Sequence, residues 1–106
     1  MANVFKNELR NNIINGAVEV YSVPTEQKSI IIELDIANVS SGSTTVSAHI
    51  TSGGSNYYII KNAPVPVGGS LQVISGQKVV LEAGDALYVD AEGGQVDAIC
   101  SILEDV

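Results

Sequence analysis

His49 and Cys100 are the only histidine and cysteine in this 106-residue chain, and they set the limit on its chemistry. A histidine acting as general base or metal ligand needs partners at hydrogen-bonding or ligand spacing, and the sequence supplies none that stand out. His49 alternates with apolar residues beside Thr45, Ser47 and Thr51, so it reads as an exposed strand residue. Cys100 lies in phase with Ala98 and Ile102 and reads as a small buried hydrophobe rather than a nucleophile. No Ser-His-acid order suggests itself. Ser52-Gly53-Gly54-Ser55 lacks the Lys-Ser/Thr that completes a phosphate loop. Asp85, Asp90, Glu92 and Asp97 lie close in sequence, but their spacing matches no calcium loop, and they read as solvated turn charges. Tyr21, Tyr57, Tyr58 and Tyr88 could stack on a sugar. Tyr57 and Tyr58, however, are strand neighbours pointing to opposite faces, and there is no tryptophan to complete a platform. A cupin-type metal site would want at least two histidines. The expectation is a protein that is not an enzyme and has no cofactor or metal.

Twelve acidic and five basic side chains give a net charge of −7. That balance argues against nucleic acid and anionic membranes as partners, because both need a cationic face. No run of about eighteen apolar residues indicates a membrane span. The first eight residues lack the apolar stretch of a signal peptide. A lone cysteine fits a reducing compartment.

The elements that would position these residues are strands. Val18 and Val20 alternate with Glu19 and Tyr21; Ile30, Ile32, Leu34 and Ile36 share a face opposite Glu33 and Asp35; Val46, Ala48 and Ile50 alternate with polar residues. A short strand is expected over 57–61. Ala63 to Gly69, with Pro64 and Pro66, reads as a stiff connector. Leu71 and Val73, then Val79 and Leu81, read as two strands turned at Gly76-Gln77, followed by Leu87-Tyr88-Val89 and a last strand over 95–104 holding Cys100 and Ile102. About eight short strands with turns roughly every eight to twelve residues indicate an all-β fold, an antiparallel β-sandwich of jelly-roll type, over residues 17–106.

Residues 1–16 break this pattern. Phe5, Leu9 and Ile13 recur every four residues among many asparagines, which predicts an N-terminal arm or short helix ending at Asn15-Gly16. Its Phe5, Lys6, Leu9, Arg10 and Ile13 are the candidate contacts to a partner protein. Ile31, Ile59, Ile99 and Leu103 stand on the polar phase of their strands. Apolar residues on both sides of a strand call for a second cover, a loop, the arm or another subunit. These four are the candidate subunit interface.

Three stretches carry a resemblance: Val20-Tyr21-Ser22-Val23-Pro24, then Tyr58 through Lys61-Asn62-Ala63-Pro64 to Leu71, then Val80-Leu81-Glu82-Ala83-Gly84-Asp85. With Leu34–Val39 and Ser101–Glu104 they make the chain from about residue 18 similar to small β-sandwich virion proteins of tailed bacteriophages, cyanophages among them. The strand ending Lys-Asn-Ala-Pro before a Pro-Gly turn is the most specific part. The resemblance implies a non-enzymatic structural protein of the virion, a decoration or cement protein on the capsid exterior that binds the major capsid protein. It also implies a homo-oligomer, a trimer before a dimer, by analogy with the threefold sites of capsids. The alternatives are a tail, neck or fibre component, or a carbohydrate-binding module for adsorption.

Overall fold

A computed structural model describes residues 2–106. It has eight strands: β1 (Val4–Ile13), β2 (Gly16–Ser22), β3 (Ser29–Asn38), β4 (Thr44–Ser52), β5 (Ser55–Val65), β6 (Ser70–Leu81), β7 (Ala86–Glu92) and β8 (Val96–Glu104). They form two four-stranded antiparallel sheets, β1-β8-β3-β6 (sheet A) and β2-β7-β4-β5 (sheet B). The pairings are nested: β4 with β5, β3 with β6, β2 with β7, β1 with β8. The chain is thus one long hairpin, turned at Ser52–Ser55 and rolled so that alternate pairs fall in opposite sheets. This is the jelly-roll arrangement the turn spacing predicts.

The core lies between the sheets. Val20, Leu34, Ile36, Val46, Ala48, Val73, Leu81, Leu87, Val89, Cys100 and Ile102 are buried there as their phase predicts, and Val18, Ile50, Leu71 and Val79 pack against them half-buried. In β3 the expected phase holds for only half the strand. Ile31 pairs with Val79 and Ile102, whereas Glu33 pairs with Ser75 and Ser101, so Ile32 is an extra residue. A bulge reverses which side faces in. Ile31 is therefore fully buried in the core, not on a subunit interface, and Ile30 and Ile32 are only half-buried.

The N-terminal segment is neither an arm nor a helix. It is β1, the edge strand of sheet A. A spacing of four suits a strand as well as a helix, since it is two strand repeats, and pairing with β8 decides between them. Phe5 and Leu9 do share a face. A second bulge between Arg10 and Ile13, with Asn12 at φ 57°, then turns Ile13 inward against Val96, where it is buried. The expected turn at Gly76-Gln77 is likewise a bulge inside one continuous β6, with Gly76 at φ 95° and Lys78 at φ 55° opposite Ile32. Strand β5 runs on through Ala63-Pro64-Val65. Pro64 is tolerated there because β5 is an edge. All four edge strands, β1, β2, β5 and β6, carry a register shift.

Candidate functional site

The outer face of sheet A brings together residues that the sequence placed in two separate groups. Cross-strand pairing aligns Phe5 with Leu103, Leu103 with Ile30, and Ile30 with Val80, giving one apolar row across all four strands. A second row aligns Leu9, Ile99, Asp35 and Gln72. Phe5 is 76% exposed and Val80 64%, with Leu9 and Ile99 at 56% and 50%. Leu9 and Ile99 also border a depression of about 450 Å³ together with Asn11 and Asp97. Of the candidate interface residues, Ile99 and Leu103 lie on this face.

Glu33 and Asp35 lie near its centre. Glu33 is held above its ordinary carboxylate range by a hydrogen bond to Asp35 and by that residue's charge. One Asp35 carboxylate oxygen is buried without a hydrogen-bond partner. No cation among the described residues is paired with either carboxylate.

The basic residues expected to grip a partner are engaged within the molecule. Alternation along β1 puts Lys6, Glu8 and Arg10 opposite Ile102, Cys100 and Ala98, on the inward side. Lys6 Nζ lies 3.1 Å from Glu8 and 3.7 Å from Glu104, and the Glu8 hydrogen bond holds its ammonium above the ordinary lysine range. Arg10 donates from Nε to the Glu19 carbonyl of β2 at 3.1 Å, and its Nη1 reaches the Glu8 carboxylate and the Leu9 carbonyl. Lys6 and Arg10 thus close the open side of the sandwich where β1 meets β2.

Tyr21 belongs to the same closure. It is buried, and its hydroxyl donates to Glu104 at 2.6 Å and lies 2.8 Å from Ser29 Oγ. Burial, with the Glu104 hydrogen bond, raises its phenol well above the ordinary range. Burial also pushes the Cys100 thiol up to about 12, with the Glu8 charge adding to it, so the thiolate is scarce at neutral pH.

Sheet B presents a different outer face. Its central row runs Glu19, Tyr88, His49, Tyr58. The imidazole stacks on Tyr88 at 5.2 Å with an interplanar angle of 6°, and meets the tilted Tyr58 ring at 5.0 Å. The Lys61 ammonium caps Tyr58 at 4.9 Å, and Tyr88 donates to Glu19 at 3.4 Å. His49 is only 7% exposed, not the open residue its phase suggested, because a ring stands on either side of it. Rings stacked across strands show their edges rather than their faces, so the Tyr88–His49–Tyr58 row is not an open stacking platform. The nearby acidic residues are dispersed. Asp85 accepts from the Glu82 amide and Asp97 from the Asn12 amide. Among the described residues, no group of three or more His, Cys, Asp or Glu is placed to hold a metal ion.

The remaining candidate interface residue, Ile59, sits half-buried in the irregular stretch of β5, between Tyr58 paired with His49 and Ile60 paired with Ala48. Beside it Tyr57 faces inward opposite Ile50, yet is 60% exposed, because β5 meets β6 of the other sheet only lightly.

Neither a protein-family model nor a curated protein matches this chain. Among solved structures, it is similar to the nucleoplasmin-like N-terminal domain of Drosophila FKBP39, with a TM-score of 0.50 over 98% of this chain and 91% of that one, at 11% identity. At that identity the likeness supports the fold alone: an eight-stranded all-β sandwich.

Proposed function

We propose that this chain is a non-enzymatic structural protein of a tailed-bacteriophage particle, a capsid decoration protein that works as a homotrimer bound to the major capsid protein. The observation that carries the reading is the Phe5-Leu103-Ile30-Val80 row. A scattered exposed hydrophobe needs no explanation, but a row across a whole sheet holds water against a continuous apolar strip and marks a protein contact. The virion setting and the preference for a trimer come from the resemblance of residues 58–71 and 80–85 to phage structural proteins. Several weak contacts joined by oligomerisation would hold a cement protein on a repeating lattice without any single strong site.

The test is co-sedimentation with empty capsids of the phage that encodes the chain. Binding at a fixed ratio to the major capsid protein supports the reading. Protein left in the supernatant at micromolar concentration overturns it. Association with isolated tails instead of capsids would move the protein to the neck or tail.

A further inference from the structure

Sheet A's outer row is one unpartnered apolar surface, and the β4–β5 hairpin carries another. At the hairpin, Ile50, Ile59 and Ile60 pack half-buried against the core, and Tyr57 stands largely exposed beside them. The two surfaces are unlike in shape and charge. The face of sheet A is broad and holds the Glu33–Asp35 pair without a cation. The hairpin is a narrow edge and carries Lys61, which rests on Tyr58 and makes no ion pair among the described residues.

We infer that the outer face of sheet A receives the β4–β5 hairpin edge of a second copy of this chain, head to tail, with Lys61 set against the Glu33–Asp35 pair. This rests on reading the chain as an assembly protein and names the contact that joins the copies. Three observations favour a second copy as occupant. First, charge complementarity is supplied by the chain itself, although its net charge of −7 opposes most other ways of pressing two copies together. Second, every edge strand is interrupted by a register shift, which discourages copies from joining by extending a sheet and favours side-chain contact against a face. Third, the area fits a small contact: four strands about 4.8 Å apart and ten residues long at about 3.3 Å each give an outline of about 600 Å². That is short of the about 800 Å² per partner of a standard interface, so each contact is weak and joining several copies makes up the difference. Unlike surfaces in a head-to-tail contact close into a ring when the rotation between copies allows, which a cyclic trimer requires, whereas a self-paired face would stop at a dimer.

Light scattering of the free protein tests this without any particle, so failure here is distinct from failure to bind capsids. The full chain is expected to be a closed oligomer at micromolar concentration. Val80→Asp removes only the face and Tyr57→Asp only the hairpin, and each variant alone is expected to be a folded monomer by circular dichroism and mass. Mixed at equal concentration they are expected to form a one-to-one dimer, since each retains the half the other lacks. Lys61→Glu should weaken assembly about tenfold, the effect of losing one interfacial charge pair worth about 1.4 kcal/mol. Adding Glu33→Lys to that variant should restore it. A monomeric full chain, an oligomeric Tyr57→Asp variant, or a mixture that stays monomeric overturns the proposal. If Val80→Asp or Tyr57→Asp fails to fold, the Lys61→Glu and Glu33→Lys pair decides alone: recovery in the double variant supports the contact and its absence overturns it.

Discussion

The two sheets share one period-two code and put it to different uses on their outer faces. Sheet B finishes its outer row internally: Glu19 accepts from Tyr88, Tyr88 stacks on His49, His49 meets Tyr58, and Lys61 caps Tyr58. Each side chain covers its neighbour, and the row shows water mainly ring edges and charges. Sheet A leaves its row unfinished. Phe5 and Val80 stand exposed at the two ends of the row with Leu103 and Ile30 half-buried between them. Glu33 and Asp35 repel one another with no cation paired to either among the described residues. An exposed aromatic can therefore be at rest in its own subunit while an exposed aliphatic row is not. What separates them is whether cross-strand partners satisfy one another.

The largest effect that would test this contrast is removal of residues 1–14, which strips Phe5 and Leu9 from the outer face of sheet A. If the segment served only to grip a partner, the remainder would stay folded. The strand also buries Ile13 and supplies Lys6 and Arg10 to the closure beside Glu104 and Glu19. The expected outcome is loss of the cooperative thermal transition by circular dichroism. Phe5→Ser with Leu9→Ser, which alters only the outer side, should melt within a few degrees of the parent.

Within sheet A, Ile31 and Ile99 sharpen the distinction between its two sides. Ile31 is fully buried, and Ile31→Ala should cost about 2–5 kcal/mol in chemical denaturation. Ile99 is half exposed, and Ile99→Ala should change the monomer by less than about 0.5 kcal/mol. Equal effects would mean that the bulge at Ile32 does not set the phase.

These two isoleucines also show how far the sequence could be read. The core phase of β4, β7 and β8 followed from alternation, whereas the expected count of about eight matches only because the sequence reads β1 as an arm or helix and β6 as two strands. In Ile30-Ile31-Ile32 alternation gives no answer, because three apolar residues in a row fit either phase. The bulge that chooses between them arises from pairing with β6 and β8, which no local pattern records. The phase of Phe5 and Leu9 was legible, though the strand was not, because a spacing of four serves helix and strand alike. Asn12 offered a usable signal, since asparagine tolerates positive φ, and it marks the point where Ile13 turns inward. The His49 cluster was half legible. Its outward phase was right, but its burial depends on Tyr58 and Tyr88, which lie far away in sequence and meet only in the sheet.

On sheet B, His49→Ala tests whether the row is self-contained. Losing two ring contacts should cost about 1–2 kcal/mol of stability, the value of two aromatic pairs. The loss is moderated because Nδ1 of the imidazole is buried without a hydrogen-bond partner. The mass by light scattering should be unchanged. A His49→Ala variant that dissociates the oligomer would extend the subunit contact from the β4–β5 hairpin edge onto the central row of sheet B and erase the contrast between the faces.

The smallest effect concerns the edge of sheet A. Lys78 occupies the bulge of β6 at φ 55°, a conformation that costs an L-residue about 1–2 kcal/mol. Glycine adopts it freely but loses more backbone entropy on folding, worth about 0.5–1 kcal/mol. Lys78→Gly should therefore stabilise the monomer by about 0.5–1 kcal/mol, while Lys78→Ala, which keeps the strained φ, should leave it nearly unchanged. A lysine on an edge strand also discourages another strand from adding there. The stabilised glycine variant should then be more prone to concentration-dependent association, read as a rising mass in light scattering above the closed oligomer. Stabilisation without added association would assign edge protection to the bulge itself. A destabilised glycine variant would show that the lysine stem packs on the sheet more firmly than its exposure suggests.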